Sequence, residues 1–363
     1  MASQLNHPLR IAFLDSWLQT VSEGSGTAAA IGGLALALEK KGHQVERIVP
    51  LSNYPSNLTM RRLWYNVTLP QRLKQHHFDL IVGFDIDGVR WSRYAQVPYV
   101  CSIKGVLAEE QRYEQGWPKL MLWSLSLLER LNARRSPCVI STSQYCGDRI
   151  QHHYGVKPEK IYIVPEGINL EQWPTPDESR RDQWTILCVA RQYPRKHITD
   201  LITAFRIVVD RYPQATLVII GDGPEHENIC QKVADYKLKA NVKVLGALAD
   251  NEDVQAWYHR SSIFCLPSVQ EGFGIVFLEA MASGLPIVST QATAIPEVVP
   301  HQQAGLLIPP QDPGALAEAI TTLLENPKLR SHYRDFGLQH VKQFTWDKVA
   351  DQFLGAIAPR IST

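Results

Sequence analysis

The amino-acid sequence predicts an α/β fold made of two Rossmann-like, doubly wound domains that face each other across a cleft. Short apolar runs alternate with helical patterns along the chain, as they do in parallel sheets with crossover helices. The series starts afresh after the proline-rich segment Trp173-Pro-Thr-Pro-Asp, which indicates a join between domains. A length of 363 residues also suits about two domains.

The first domain is predicted to span residues 1–168. Leu34 and Leu38 share one face of its first helix, Ala28–Lys41, and Gly42 ends that helix. Its predicted strands are Arg10–Leu14, Gln44–Val49, Leu80–Gly83, Tyr99–Ser102, Val139–Thr142 and Ile161–Val164.

The second domain is predicted to span residues 182–345, with helices at Ile198–Arg211 and Pro224–Lys237. Ligands of such sheets bind at the carboxyl ends of the strands, so the cleft between the domains is the expected site. The predicted strands are Thr185–Val189, Thr216–Ile220, Val242–Leu245, Ile263–Leu266, Pro286–Ser289 and Gly305–Leu307.

Composition and charge exclude several classes of protein. Apolar residues make up 45% and charged residues 20% of the chain, which excludes a mainly disordered protein. A net charge of +1 argues against a nucleic-acid partner. The first half is basic and the second half is acidic, which indicates a different partner for each half unless their solvated faces simply differ.

The expected location is the cytoplasm. The N-terminus lacks the basic-then-apolar pattern of a secretory signal, and no apolar run reaches the roughly 18 residues of a transmembrane helix. The six cysteines have no C-x-x-C spacing and several lie in apolar runs, which predicts reduced, buried thiols.

A glycine-rich motif follows the predicted strand Ile263–Leu266. Gly272 and Gly274 let the backbone approach a ligand closely. The next residues, Ile275–Ser283, form a predicted helix whose N-terminal amides suit a phosphate group. The motif therefore predicts a phosphate site at the carboxyl edge of the second sheet.

Two acids and two cations accompany this motif. Glu271 precedes the predicted helix and Glu279 lies inside it, so the two carboxylates can hold hydroxyls of a sugar and of a ribose. Arg191 and Lys196 follow the first strand of the second domain, and the two cations suit a diphosphate. Taken singly, each pair also has a plainer interpretation as capping or surface residues.

Two weaker patterns occur in the first domain. Gly24-Ser-Gly26 precedes the first helix and indicates a phosphate-binding turn. The loop from Asp15 to this turn is too long for the tight turn of a nicotinamide-dependent oxidoreductase. Asp85-Ile-Asp87 spells D-x-D, a short metal-clamp pattern, but a pair of turn-forming aspartates is the favoured interpretation and no metal site is predicted.

Together these residues resemble the retaining, nucleotide-sugar-dependent glycosyltransferases of family 4, also called group 1 glycosyltransferases, which have the GT-B fold. The resemblance covers nearly the whole chain, and its motifs occur in the family's order and spacing. They are Ser25-Gly26, the pattern from Leu34 to Val45, Val164-Pro-Glu-Gly167, Arg191 with Lys196, Val218-Ile-Ile-Gly221-Asp-Gly223-Pro-Glu225, and Glu271 with Glu279.

The resemblance implies a role for each residue toward a nucleoside-diphosphate sugar, either a UDP-sugar or a GDP-sugar. Arg191 and Lys196 would bind the diphosphate, and with Glu271, which would hold the transferred sugar, they are the implied catalytic residues. Glu279 would hold the ribose. The final helix, 346–363, would cross back onto the first domain. The other implied donor contacts are Gly26, Leu248, Phe273, Gly274 and Ile275.

The chain departs from the family pattern at two positions. Lys104 stands where many members carry a histidine on the acceptor side. We expect Lys104 and Asp85 on the acceptor side, with a surface lysine as the alternative for Lys104. His197 stands where a glycine usually follows the phosphate-binding lysine.

The implied reaction is a transfer that needs neither a metal nor an obligatory cofactor. Arg191, Lys196 and helix-terminal amides would stabilise charge on the departing diphosphate, while the acceptor hydroxyl attacks the same face of the sugar. Two alternatives share the donor site: a GT-B sugar-nucleotide epimerase, and a non-catalytic nucleotide-sugar-binding protein.

The basic first half is expected to bind the hydroxyl acceptor, which is a glycan, a lipid-linked sugar or a small molecule. The segments Arg61–Tyr65 and Trp117–Arg135 mix cations with large apolar side chains, so one interpretation is contact with an anionic membrane that carries a lipid acceptor. The plainer and favoured interpretation is a core helix that ends in Arg134-Arg135, where cations interact favourably with the helix dipole.

Overall fold

The computed structural model describes residues 7–17, 26–52, 54–55, 57–74, 76–92, 97–173, 179 and 181–361. The chain divides into two compact units, Met1–Gly167 with Trp346–Thr363, and Ile168–Thr345. In the described residues each unit contains one six-stranded sheet of parallel strands with flanking helices. The prediction of an α/β protein with two Rossmann-like sheets is therefore confirmed. The predicted turn at Gly24-Ser25 lies outside the described residues.

The sheet of the first unit has the strand order β2-β1-β3-β4-β5-β6, so the order reverses between β1 and β3. The elements are β1 (Arg10–Leu14), α1 (Gly26–Lys40), β2 (Gln44–Ile48), α2 (Leu58–Leu73), β3 (Leu80–Phe84), β4 (Tyr99–Ile103), α3 (Leu107–Glu110), α4 (Gly116–Arg135), β5 (Cys138–Ser141), α5 (Gln144–Arg149) and β6 (Ile161–Ile163).

The central strands of this sheet are covered on both faces. Every residue of β3, β4 and β5 is buried. Ile31 and Leu34 of α1 belong to one apolar cluster on the sheet, and Tyr65 and Leu69 of α2 belong to another. Strands buried on both faces are continuous apolar runs rather than alternating ones, which is why they were recognisable in the sequence.

The sheet of the second unit has the order β12-β11-β10-β7-β8-β9, so its order reverses between β10 and β7. The elements are β7 (Thr185–Val189), α6 (Ile198–Arg211), β8 (Thr216–Ile220), α7 (His226–Asp235), β9 (Val242–Gly246), α8 (Asn251–Arg260), β10 (Ile263–Leu266), α9 (Ile275–Ala282), β11 (Ile287–Thr290), α10 (Ile295–Val298), β12 (Gly305–Ile308), α11 (Pro313–Glu325) and α12 (Pro327–His340).

The final helix, α13 (Trp346–Ile361), packs on α1 within the first unit. Gly33 makes the contact possible, since a Cβ there would lie 2.2 Å from the indole of Trp346. Phe353 contacts Phe13 edge-to-face, with ring centroids 6.4 Å apart. The last helix in the sequence thus completes the core of the first unit.

Two expectations about individual residues need adjustment. The helix predicted to begin at Pro224 begins at His226, because the Gly223-Pro224-Glu225 segment forms a turn that hydrogen-bonds to Gln192. Cys230 is exposed on that helix, while the other five cysteines are buried thiols. None of the helices in the described ranges is long and apolar enough to cross a membrane.

Candidate active site

The loops after β7 and β10 lie side by side where the strand order of the second unit reverses. In an open α/β sheet this position is a crevice at the carboxyl ends of the strands, because the connections on its two sides run in opposite directions. Arg191 and Lys196 follow β7, and Glu271 follows β10. The fold thus brings together three residues from two distant parts of the chain.

Lys196 and Glu271 form an ion pair in this crevice. Nζ of Lys196 lies 2.6 Å from Oε1 of Glu271, and the two side chains are only 12% and 9% exposed. The loops that carry them are joined by backbone, since Val269 donates its N–H to the carbonyl of Arg195 at 2.9 Å. Each charge is therefore compensated by the other, and the carboxylate retains Oε2 for a further hydrogen bond.

Arg191 is held differently from Lys196. Its guanidinium carbon lies 5.9 Å from the ring centroid of Tyr193, and the side chain is half-buried. Within the described part of the chain it makes no ion pair with a carboxylate. A guanidinium without a counter-charge at the carboxyl edge of a sheet is suited to an anionic ligand.

His197, the departure from the family's glycine, has a left-handed backbone with φ +50°. Glycine adopts this conformation without strain, which gives a physical reason for the glycine at this position. The imidazole Nδ1 lies 2.8 Å from the carboxylate of Asp200, within the first turn of α6. This side-chain contact accompanies a backbone conformation that non-glycine residues rarely adopt.

The glycine-rich loop leads directly into α9. Gly274 has φ +93°, and a Cβ there would lie 2.6 Å from the ring of Phe277, so a side chain is excluded on both grounds. Of the side chains that the structure describes, none caps the first turn of α9, which begins at Ile275. Phe273 is buried against Phe344, with ring centroids 5.7 Å apart. Its backbone, rather than its ring, is the part of Phe273 suited to a ligand contact.

Glu279 is oriented by Tyr258, a residue that the sequence analysis did not identify. The phenol donates a hydrogen bond of 2.9 Å to Oε2 of Glu279, and the ring is fully buried between Trp173 and Phe264. Burial raises the pKa of the Glu279 carboxyl, and the hydrogen bond from Tyr258 opposes that rise. No sequence signal marks Tyr258, since it lies on another helix, α8.

The loops after β8 and β9 complete this edge of the sheet. Gly221 approaches the loop after β7 so closely that a Cβ would lie 1.9 Å from the carbonyl oxygen of Ala190. Its own carbonyl accepts a 2.7 Å hydrogen bond from the side chain of Gln192. Leu248, predicted near the base, is half-buried and packs on the core two residues after the end of β9.

The first unit has a corresponding polar cluster where its strand order reverses, after β1 and β3. Ser16 donates its N–H and its hydroxyl to the carboxylate of Asp87, at 2.9 and 2.6 Å. The indole N–H of Trp17 donates to Asp85 at 3.1 Å. The aspartates of the D-x-D pattern therefore hold the loop after β1, and no group of three potential metal ligands occurs among the described residues.

Asp85 and Lys104, predicted on the acceptor side, are adjacent. Oδ1 of Asp85 accepts the backbone N–H of Lys104 at 2.9 Å, and Asp85 has the left-handed φ of +56°. Burial raises the pKa of Asp85, and Arg62 opposes the rise. The ammonium of Lys104 forms a buried ion pair with Glu166 at 2.9 Å. Lys104 is therefore not a surface lysine.

Arg62 and Glu166 are the charged residues of this cluster that the sequence analysis missed. The guanidinium of Arg62 lies 4.5 Å from the ring centroid of Trp17 and 3.6 Å from Asp85. Its Nη2 and the Oε2 atom of Glu166 are buried and have no hydrogen-bond partner among the described residues. Gly26, the predicted donor contact of this unit, is the exposed first residue of α1.

Comparison with known proteins identifies the family. Residues 24–172 match the family model described as Glycosyltransferase Family 4, and residues 171–340 match the model described as Glycosyl transferases group 1. The chain is 28% identical to a glycogen synthase of Mycobacterium tuberculosis over 278 residues, which cover 76% of this chain and 66% of that protein. For several other curated relatives the match spans about half of their length.

Two solved structures resemble this chain over nearly its whole length. Sucrose-phosphate synthase from Thermosynechococcus elongatus has a TM-score of 0.83 at 21% identity, over 97% of this chain and 99% of that one. Anabaena HepE in complex with UDP-glucose has a TM-score of 0.75 at 21% identity, over 98% and 99%. The two family models together match residues 24–340. The chain therefore belongs to the group 1 glycosyltransferases of family 4, and it has the GT-B fold.

Proposed function

We propose that this protein transfers a sugar from a nucleoside-diphosphate sugar to a hydroxyl acceptor, with retention of the anomeric configuration. The observation that carries the proposal is the Lys196–Glu271 ion pair at the reversal point of the second sheet, with Arg191 on the same loop as Lys196. Cations and a carboxylate there match the two parts of such a donor, a diphosphate and a ring of hydroxyls.

The two cations act on the leaving group. As the bond between the anomeric carbon and the phosphate oxygen breaks, negative charge grows on the diphosphate. Arg191 makes no ion pair in the described structure, so its full charge is available to the phosphates. The ammonium of Lys196 donates to Glu271 and also donates to the phosphates. Fixed donors of this kind contribute most where charge develops in the transition state.

The two acids hold the hydroxyl-bearing parts of the donor. Glu271 uses Oε2 for the transferred sugar while Oε1 stays on Lys196, which couples sugar position to phosphate position. Glu279 holds the ribose, and Tyr258 fixes the orientation of that carboxylate. Uncapped N–H groups at Gly274 and Ile275 contact the phosphates, and Phe273 contributes its backbone. Leu248 lies near the base, and Gly26 is a further proposed donor contact.

The acceptor hydroxyl attacks the face of the sugar that the diphosphate leaves. Its oxygen forms the new bond to the anomeric carbon, and its proton passes to the departing phosphate oxygen, so neither a metal nor a separate base is required. Lys104, Asp85 and the buried atoms of Arg62 and Glu166 that lack partners are the proposed acceptor side. The reaction is expected to take place in the cytoplasm.

A panel of nucleotide sugars tests the donor assignment. We expect UDP-sugars or GDP-sugars to raise the melting temperature, because ligands that bind the native state stabilise it. HepE, which binds UDP-glucose, makes UDP-glucose the first probe. Slow hydrolysis of the best donor should release the nucleotide and a free sugar. The first sugar formed should be the same anomer as in the donor, and NMR can identify it.

Three results would contradict the proposal. Release of the opposite anomer would exclude retention. Conversion of the donor into a different nucleotide sugar without an acceptor would identify an epimerase. Donor binding with neither hydrolysis nor transfer to any acceptor would identify a binding protein. The Glu271→Gln variant is the control for adventitious hydrolysis, since it should retain nucleotide binding but lose turnover.

A further inference from the structure

Helix α4 presents an apolar face to solvent. Its side chains Leu120, Trp123, Leu127 and Leu131 recur every three or four residues and are exposed, and Trp117 at the start of the helix is 73% exposed. We call these five residues the apolar stripe. Residues at this spacing lie along one side of a helix, and contiguous exposed apolar surface of this kind marks an interaction site.

Helix α2 extends this surface. Met60, Trp64 and Val67 are exposed and share its outer face. The hydroxyl of Thr59 at the start of α2 lies 3.0 Å from the sulfur of Met121 in α4, so the helices adjoin. Eight of the twelve exposed large apolar side chains in the described residues belong to these two helices, which is a concentration rather than a random scatter.

A cavity of about 620 Å³ lies at the C-terminal end of α4. We call it the basic cavity. Four of its lining residues are cations that form no ion pair with a carboxylate in the described structure: Arg134, Arg135, Lys160 and Arg360. The other charged lining residues, Lys157 and Glu159, are highly exposed and lie 3.8 Å from each other.

Backbone carbonyls hold three of these cations in place. Nε of Arg134 donates to Tyr154 at 2.6 Å, Nη1 of Arg135 donates to Val89 at 3.2 Å, and Nζ of Lys160 donates to Ser136 at 3.3 Å. Each keeps N–H groups for a ligand. Gly155 leaves space for Arg134, since a Cβ there would lie 2.8 Å from Nη2.

Arg360 adds a cation from the last helix of the first unit. Its Nε is buried and has no hydrogen-bond partner within the described ranges. Four cations that form no ion pair among the described residues favour an anion with several oxygen atoms, and guanidinium groups match the geometry of a phosphate.

The basic cavity is separate from the proposed acceptor residues. Pro137 and Lys160 directly precede β5 and β6, so the cavity lies at the amino edge of the sheet, whereas Asp85 and Lys104 follow strands at the carboxyl edge. The stripe extends along α4 toward the cavity, with Leu131 three and four residues before Arg134 and Arg135. Leu120 to Arg135 spans roughly 22 Å of helix.

We propose that the basic cavity binds the phosphate headgroup of an anionic lipid while the apolar stripe lies in the same membrane surface. An apolar face of α4 that ends at a cavity lined by four cations, two of them on the same helix, matches an amphiphile with a charged head. Interfacial helices bind membranes because they bury apolar area and because their cations are attracted to anionic lipids. The proposal does not depend on the transfer reaction, because its readout is lipid binding.

Vesicle sedimentation with the full chain tests the proposal. We expect binding to vesicles that contain phosphatidylglycerol, weak binding to pure phosphatidylcholine vesicles, and loss of binding at high salt. The Arg135→Gln/Lys160→Gln variant should bind anionic vesicles roughly 30-fold more weakly, since each basic residue near such a surface contributes about a factor of five. The control Lys239→Gln/Lys328→Gln changes net charge equally on exposed residues of the second unit and should bind as the unaltered chain does.

The apolar stripe has its own readout. Brominated lipids should quench tryptophan fluorescence on binding, and Trp117→Phe/Trp123→Phe should bind normally with much less quenching. Equal binding to neutral and anionic vesicles, or a cavity variant that binds like its control, would overturn the proposal. Stabilisation of the protein by inorganic phosphate without any vesicle binding would assign the cavity to a soluble anion and would likewise overturn it.

Discussion

Nζ of Lys196 lies 2.6 Å from Oε1 of Glu271, although 75 positions separate the two residues in the chain. Both side chains are close to nine-tenths buried, so each depends on the other for compensation of its charge. The proposed donor must insert its diphosphate and sugar at this pair. The pair therefore has both a structural and a chemical function, and these two functions can be separated.

Removal of either partner of this pair should destabilise the protein. We expect Lys196→Met and Glu271→Leu each to lower the free energy of unfolding by about 3 kcal/mol, because the remaining buried charge is uncompensated. The double variant should regain most of that loss in urea denaturation. Turnover should fall by about 10²–10³ in all three variants. Additive losses of stability, or recovered turnover in the double variant, would contradict the assignment.

Arg191 should matter for turnover and little for stability. It makes no ion pair in the described structure, so Arg191→Ala should change the free energy of unfolding by less than about 1 kcal/mol. Turnover should fall by about 10²–10³, because a charge that stabilises the leaving diphosphate is lost. Steady-state kinetics beside thermal denaturation measures both quantities, with Lys239→Ala as the matched surface control. A turnover near that of the control would remove Arg191 from the mechanism.

Tyr258 should act on nucleotide binding through Glu279. Glu279→Gln should weaken binding by about 1.5–3 kcal/mol, the range for hydrogen bonds to charged groups, and Tyr258→Phe by about 1 kcal/mol. Burial raises the pKa of Glu279 and the Tyr258 phenol lowers it. Because the ionised carboxylate holds the ribose, binding is lost as the pH falls through this pKa, and in Tyr258→Phe that loss should begin at a higher pH.

Calorimetric titration with nucleotide at several pH values checks this shift. Tyr258 contacts Glu279 rather than the ligand, so it is a positioning residue. A weaker affinity in Tyr258→Phe without any change in its pH dependence would indicate a merely structural effect and would refute that role.

His197 tests the explanation for the family's glycine. Its φ of +50° costs a non-glycine residue roughly 1–2 kcal/mol. His197→Gly should therefore change stability by less than about 1 kcal/mol, since relief of strain offsets the lost contact with Asp200 and the added flexibility of glycine. His197→Val should be the more destabilising change, because a β-branched side chain is poorly tolerated there. If urea denaturation shows that the His197→Val variant is more stable than the His197→Gly variant, this explanation is wrong.

Asp87 should make the first unit less stable as the pH rises from about 4 to 6. Burial raises the pKa of its carboxyl from 3.8 to about 6, so the native state holds a proton that the unfolded state has already lost. The free energy of unfolding then falls with rising pH across this window, by about 3 kcal/mol for this group alone. Asp87→Asn should flatten that slope in denaturation curves measured at each pH. An unchanged slope would show that Asp87 is ionised throughout.

The strands were the most predictable part of the fold. Arg10–Leu14, Thr185–Val189, Thr216–Ile220 and Ile263–Leu266 have the same bounds in the structure as in the sequence prediction. Parallel strands covered on both faces must be apolar throughout, so burial is visible in the local composition. Helix ends were less predictable, as at His226, because a local turn with a partner in another loop decides them.

The sequence by itself determined the two sheets, the order of the motifs and the residue types available for a diphosphate and for hydroxyls, because burial and glycine geometry act over a few neighbouring residues. The tertiary structure alone decided which side chains meet. Tyr258 on Glu279, Glu166 on Lys104 and Ser16 on Asp87 depend on strand order and helix placement. Those contacts join positions from 21 to 71 apart, a separation at which local pattern carries no information.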